Sequence, residues 1–507
     1  MLGGSRTIKL GVLGLFFCGT LYAQEKSLTF EQAAAIAFKQ NPLMEQGKLQ
    51  LKQREQEEKA AWGLYVPRLG LEASYVHLQK DLSIDLSPIR DAITPLYQAL
   101  GNFGQFSGVP NPDPATNSVM PVLPGNVSTK VMRDKLQAGL TQVMNTNWNQ
   151  TVQKQNFGRV SAQVVWPLFT GGKIKAANNV AKIRKGEASE QIRVNEAKLM
   201  SELVERYYGL CLAYEALDVR KQVLEAMNKH MSDAQKLFDE GIIAKAELLH
   251  AKLYHAQADR EVKKAQRQLD IVTEALNNTL GEEKLLDIKP ASRLFYMKQI
   301  EDLVYFQENA NRNNAMLKQV DAKHALTKQK IKAAQAEYFP TVAATASYDL
   351  YNKNLSLLTP EAMVGVGLKW TLFDGVARTR KVKAAHLISD RVASIKEKAS
   401  ADISMGISKF YQDIQMQMEQ LDELNTAMEF ATEYVHVRNK AFSEGMATST
   451  EVVDANLAIA KVKIERLKAI YKYDVALAHL LELSGLDDQF LTYMKSESAQ
   501  FESYQKK

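Results

Sequence analysis

Glu451 and Asp454 stand three residues apart, so any helix that starts just after Gly445 carries both carboxylates on one face. By spacing alone they are first-turn acids on a solvated surface, where the positive end of the helix dipole favours them. The other groups that could do chemistry are weaker. Glu247-Leu248-Leu249-His250, with His255, lacks the two-histidine spacing of a zinc-binding helix. Thr170-Gly171-Gly172-Lys173 lacks the remainder of a phosphate-binding loop. Gly365-Val366-Gly367 alternates within a strand pattern and reads as close backbone packing. Cys211 has no partner pattern and reads as a core thiol. The expectation is a chain without a catalytic constellation, cofactor or metal site, and so not an enzyme.

The elements carrying these residues come in duplicate. Tyr65-Val66-Pro67, leading into Ala73-Ser74-Tyr75, returns as Tyr338-Phe339-Pro340, leading into Ala346-Ser347-Tyr348. Trp166-Pro167-Leu168-Phe169-Thr170-Gly171 returns as Trp370-Thr371-Leu372-Phe373-Asp374-Gly375. Phe238-Asp239-Glu240-Gly241 returns as Phe442-Ser443-Glu444-Gly445, and Gly281 as Gly485. One unit is used twice, which fixes the architecture before any local reading. The first copy carries an insertion, Lys80 to Asn156, that the second lacks; it holds more than half of the chain's 13 prolines. So long a connection is functional or disordered.

Four segments alternate apolar and polar residues with period two. Leu69, Leu71, Ala73 and Tyr75 face away from Arg68, Glu72 and Ser74. Val160, Ala162, Val164 and Trp166 oppose Arg159, Ser161 and Gln163. Val342 to Leu350 is interleaved with Thr345, Ser347 and Asp349, and Val364, Val366 and Leu368 with Gly365, Gly367 and Lys369. Each is about ten residues, the length a tilted strand needs to cross a bilayer. Tyr65, Trp166, Phe169, Tyr338, Trp370 and Phe373 gather at the strand ends, where amphipathic rings suit a membrane interface. A soluble sheet with one packed face is the alternative. No proline interrupts Lys173 to Leu237 or Arg378 to Ala441. Helices of that length run close to about 100 Å. Apolar residues sustain a coiled-coil seam along them (Leu203, Tyr207, Leu210 and Leu217; Ile403, Ile407, Ile414 and Leu421). The return helices read as seamed at Leu249, Leu253 and Ala256, and at Val453, Leu457, Ala460 and Ile464.

Arg6 and Lys9 precede an apolar run, Leu10 to Tyr22, that ends in Ala23: an export signal too short to span a bilayer. Phe17 before Cys18 argues against lipidation, and Cys211 alone in the mature chain rules out an intrachain disulfide. The net charge of +6 is small against 64 basic and 58 acidic residues, so no nucleic acid partner is expected. The domain reading is a signal peptide at 1–23 and a first repeat at 24–280. That repeat has strands about 67–79 and 157–169, insertion 80–156, long helix 173–239 and return helix 246–280. A linker at 281–312 precedes a second repeat at 313–485, with strands about 340–352 and 361–373, long helix 376–441 and return helix 449–484. A tail covers 486–507. Four strands cannot close a barrel, and hydrocarbon tolerates no open sheet edge. Either the sheet is soluble or several chains share one barrel.

In the order and duplication of these motifs the chain resembles the TolC family of outer-membrane efflux and secretion ducts. The resemblance implies an α+β membrane protein: a homotrimer whose twelve-stranded β-barrel sits in outer membrane lipids. A long periplasmic α-helical coiled-coil barrel would continue it, with a mixed equatorial belt formed by Leu28 to Asn41, Gly281 to Asn311 and the C-terminus. It implies an exit duct of a tripartite efflux or type I secretion system. A periplasmic adaptor protein would couple it to an inner-membrane transporter of RND or ABC type. Glu451 and Asp454 match the family's periplasmic gate carboxylates, which in three copies would raise one another's pKa and attract cations. Lys245, Glu247 and Phe442 are possible gate neighbours. Phe442 and Ala447 hold neither the hydroxyl nor the charge that latches better-studied members. The turns at Gly241-Ile242 and Gly445-Met446 match adaptor-docking sites. The rivals are the adaptor itself, which should carry one hairpin and compact β domains, and a soluble coiled-coil protein.

Overall fold

A computed structural model of the chain describes residues 26–282, 286–356 and 358–501; the export signal read at 1–23 lies outside them. The first repeat runs through β1 (Lys26–Leu28), α1 (Phe30–Gln40), α2 (Pro42–Trp62) and β2 (Arg68–His77). The insertion supplies β3 (Leu82–Asp85), α3 (Ser87–Phe103), α4 (Gly125–Asn145) and β4 (Asn149–Gln153). Then come β5 (Asn156–Phe169), α5 (Lys173–Asp239) and α6 (Lys245–Leu280). A connecting stretch holds β6 (Ile288–Pro290) and β7 (Phe295–Met297). The second repeat follows with α7 (Leu303–Asn313), α8 (Ala315–Gln335), β8 (Thr341–Lys353), β9 (Ala362–Lys369), α9 (Ala377–Ser443) and α10 (Ser449–Ser484). The described residues end on α11 (Phe490–Met494) and β10 (Ala499–Phe501).

Two compact units cut across the repeats, because like elements of both copies pack together. One takes Trp62–Ile174 and Gln335–Arg378, the other all the remaining helical segments. In the first unit β2, β5, β8 and β9 form one antiparallel sheet in that order. Leu69 pairs with Val164, Val164 with Ala346 and Ala346 with Val364, so the apolar positions of all four strands fall on one face. That face is open: Leu71 is 73% and Val364 86% exposed. The other face is polar, with Gln163 donating to Glu72 at 2.6 Å and Arg159 paired to the buried Asp349 at 2.6 Å. Among the described residues of this unit only one hydrophobic side chain, Ala336, is buried. A soluble domain cannot fold around so little, which leaves the packed soluble sheet without support here.

The strand exits repeat the same local device. Trp166 Nε1 donates to the Tyr65 carbonyl at 3.0 Å, and Trp370 Nε1 donates to the Tyr338 carbonyl at 3.1 Å. Each indole is thus hydrogen-bonded on its polar edge while its ring stays exposed, as an interfacial tryptophan requires.

The insertion is folded, not a structureless loop. β3 and β4 pair as an antiparallel ribbon, α3 packs on α4, and Asn111 closes the link between them by donating to Thr116 Oγ1 and the Met120 carbonyl, both at 3.0 Å. Its root is tied to the β8–β9 connection. Gln153 Nε2 donates to the Asn354 carbonyl at 2.7 Å, and the Ser356 amide donates back to Gln153 Oε1 at 2.8 Å.

In the helical unit the long seams are the core. Leu203, Tyr207, Leu210 and Leu217 of α5 are buried, as are Ile403, Ile407, Ile414 and Leu421 of α9 and Val453, Ala460, Ile464 and Leu467 of α10; Leu457, expected in the α10 seam, is instead exposed. Each such aliphatic side chain contributes about 1.5–3 kcal/mol. The seam expected on α6 is corrected. Leu249, Leu253 and Ala256 face outward, and the buried positions are Leu248, Ala251, Ala258, Leu269 and Leu276. α6 carries apolar residues on two faces, and only one of them meets its own chain. Parallel β1–β6 and antiparallel β7–β10 gather the terminal and connecting segments around an aromatic cluster of Phe30, Tyr207, Tyr208, Phe295 and Phe490. Cys211 belongs to this core, with its thiol donating to the Ser292 carbonyl at 3.4 Å and pushed well above its ordinary pKa by burial. Among the described residues no helix is long and apolar enough to cross a membrane.

Candidate functional site at the hairpin tips

Both helical hairpins turn on the same backbone motif. The Gly241 amide donates to the Phe238 carbonyl and the Ile242 amide to the Leu237 carbonyl, at 2.9 and 2.8 Å. In the second hairpin the Gly445 amide meets the Phe442 carbonyl and the Met446 amide the Ala441 carbonyl, at 3.0 and 2.9 Å. Gly241 and Gly445 take φ of +76° and +73°, the left-handed conformation that ends a helix in this way. Ile242 and Met446, next along, are 57% and 70% exposed, so each turn presents one apolar side chain to solvent.

Behind the turns lies a small core of its own, Ala234, Leu248, Ala251, Phe442 and Val452. Phe442 is therefore a buried packing residue, and Ala447 packs against the same cluster. Beside it a polar junction ties the first hairpin to the second. His230 of α5 is buried and its Nε2 lies 2.6 Å from Ser449 Oγ, with its ring 4.6 Å from that of Phe442. Glu247 of α6 accepts the Ser449 amide at 3.0 Å. That amide is among the donors a helix start leaves without an intrahelical partner, so α6 caps α10. His250 Nδ1 lies 3.3 Å from Thr450 Oγ1. Lys245 starts α6 and is exposed.

Glu451 and Asp454 part company here. Glu451 closes a capping box: Thr448 Oγ1 accepts the Glu451 amide at 3.3 Å, and Glu451 Oε2 accepts the Thr448 amide at 2.8 Å. Its other oxygen meets Arg438 at 3.0 Å. The Thr448 amide first, and Arg438 after it, hold the Glu451 carboxyl below its usual range within the single chain. Asp454, one turn further on, is exposed and has no ion-pair partner among the described residues. Sequence reasoning missed His230, Ser449 and Thr448. The Thr448-to-Glu451 spacing was a readable capping signal, whereas nothing local marks His230.

Two repeated coiled-coil hairpins and an amphipathic sheet with an open apolar face are the parts of an outer-membrane channel. The chain belongs to the outer membrane efflux protein family, whose sequence model matches residues 129–282 and 307–486. It is 20% identical over 328 residues to the alkaline protease secretion protein AprF of Pseudomonas aeruginosa, covering 61% of this chain and 67% of that one. It is likewise 20% identical over 336 residues to outer membrane protein TolC of Escherichia coli, covering 63% and 67%. Among solved structures, the outer membrane protein VceC of Vibrio cholerae shares the fold with a TM-score of 0.63 and 14% identity, over 90% of this chain and 96% of that one. The resemblance to the TolC family holds.

Proposed function

We propose that this chain is one third of a passive export duct. Three copies close a twelve-stranded barrel in the outer membrane, and their helical hairpins form a periplasmic conduit. An adaptor docks at the turns bearing Ile242 and Met446 and couples the duct to an inner-membrane transporter of RND or ABC type. The carrying observation is the sheet. Its apolar face is exposed, and among the described residues nothing pairs with the outer edges of β2 and β9. Hydrocarbon suits the face but forbids the edges, so the edges must pair with other copies. The adaptor alternative fits poorly, because two hairpins and four strands alternate where an adaptor needs one hairpin and compact β domains. A soluble coiled-coil protein has no use for such a sheet.

The tip is the gate in this reading, and Asp454 is its charged element. Glu451 is committed to capping α10 and to Arg438, whereas Asp454 is free to face a permeating ion. In three copies the Asp454 side chains make a ring that attracts cations. Asp454→Asn should lower cation selectivity and block by multivalent cations in planar bilayers. Unaltered selectivity and block would remove Asp454 from the gate. The insertion, rooted through Gln153 on the β8–β9 connection, lies between paired strands and narrows the outer mouth. Its deletion should raise single-channel conductance, and an unchanged conductance would reject that role.

A further inference from the structure

We propose that His230, Ser449 and Glu247 form a proton-operated bolt: neutral His230 holds the two hairpin tips together, and protonation lets them part. The inference rests on reading the tip as the gate and names how that gate is regulated.

The geometry makes Ser449 the meeting point. The first hairpin reaches it from two helices, His230 at the hydroxyl and Glu247 at the amide, 2.6 and 3.0 Å away. The turns also touch, with Ile242 Cγ2 lying 4.0 Å from the position a Gly445 Cβ would take. Of the chain's 8 histidines, all among the described residues, only His230 is buried, so its ring is the one that closure of the tips removes from water.

Its surroundings disfavour an imidazolium. The ring lies against Phe442 and faces the amino end of α10, where the helix dipole is positive. The charges around it are mixed. α5 supplies Lys229, Asp233, Lys236 and Glu240 around an adjoining cavity of about 450 Å³. α6 supplies Glu247 and His250, α9 supplies Asn439, Ser443 and Arg438, and α10 supplies Glu451, already held by Arg438. Burial outweighs the pull of Asp233 and Glu247 and takes the His230 pKa below its ordinary value. A parted tip returns the ring to water, where it titrates near about 6.5. The parted state therefore binds more protons in the window below that value. The bolt is at full strength above it and weakens as the pH falls towards the lower closed-state value.

The test places nitroxide labels at Ile242→Cys and Met446→Cys in the full-length assembly, diluted with unlabelled chain so that only distances within one chain are read. At pH 7.5 a short distance should dominate, and at pH 5.5 its share should fall at least threefold. His230→Gln, which can hydrogen-bond but not titrate, should abolish that pH response. Ser449→Ala, which keeps the imidazole, should show the longer distance already at pH 7.5. A wild-type distance indifferent to pH, a response surviving in His230→Gln, or tips that tighten in acid would each overturn the bolt. If the labels move as expected but conductance does not, the gate reading fails and the bolt stands. If Asp454→Asn alters cation block while the labels stay fixed, the bolt alone fails.

Discussion

Ser449 and its neighbours show how one position can carry several duties. Thr448 begins α10, Glu451 completes its cap, and Ser449 between them receives both His230 and Glu247. Removing the capping hydroxyl with Thr448→Ala should destabilise the start of α10 by about 1 kcal/mol, seen as faster amide exchange in its first turn with the rest of the helix unchanged. No change in exchange there would show that Glu247 and the hairpin core suffice to fix the helix start. The cap was legible, since Thr and Glu three residues apart before an apolar run announce it. The His230–Ser449 contact was not. It links residues 219 apart, and the register of α5 against α10 that brings them together is set by packing along the whole seam.

At the scale of elements, alternation and heptad spacing were the readable signals, because each element buries or exposes one face along its length. β8 and β9 lie where the sequence alternates around Val342 and Val364. The α6 seam was misread because Leu248 and Leu249 are neighbours and periodicity alone cannot say which stripe meets the chain. Leu248→Ala should cost about 2–5 kcal/mol of hairpin stability, whereas Leu249→Ala should cost well under about 1 kcal/mol within one chain. Equal losses would return the outward stripe to the core. The insertion was read, from its length, as a functional or disordered connection; its order comes from pairing and side-chain bonds such as those of Gln153 and Asn111, which leave no period in the sequence. A second asymmetry separates the repeats. Gly171 and Gly375 both take positive φ, but a Cβ on Gly171 would sit 2.6 Å from the Ala336 carbonyl, whereas one on Gly375 meets nothing within 4 Å. Gly375→Ala should therefore cost about 1 kcal/mol, and Gly171→Ala distinctly more, in denaturant titrations of the assembly.

For the whole molecule, the two compact units solve their burial problems differently. The helical unit has a continuous core, whereas the strand unit buries almost nothing hydrophobic by itself. An apolar sheet face and two open edges are tolerable only if lipid covers the one and further copies pair with the other. The four-stranded sheet was legible in the duplication, and two strand pairs per chain are too few to enclose a lumen, which motivates the proposal of further copies. The proposal of three copies rests on barrel geometry, in which twelve strands would give a wall wide enough to pass cargo. The most direct measurement is the mass of the intact particle, extracted from membranes in mild detergent and analysed by native mass spectrometry. Three chains per particle, released only from the membrane fraction, are expected; a water-soluble, monodisperse single chain would contradict the shared barrel.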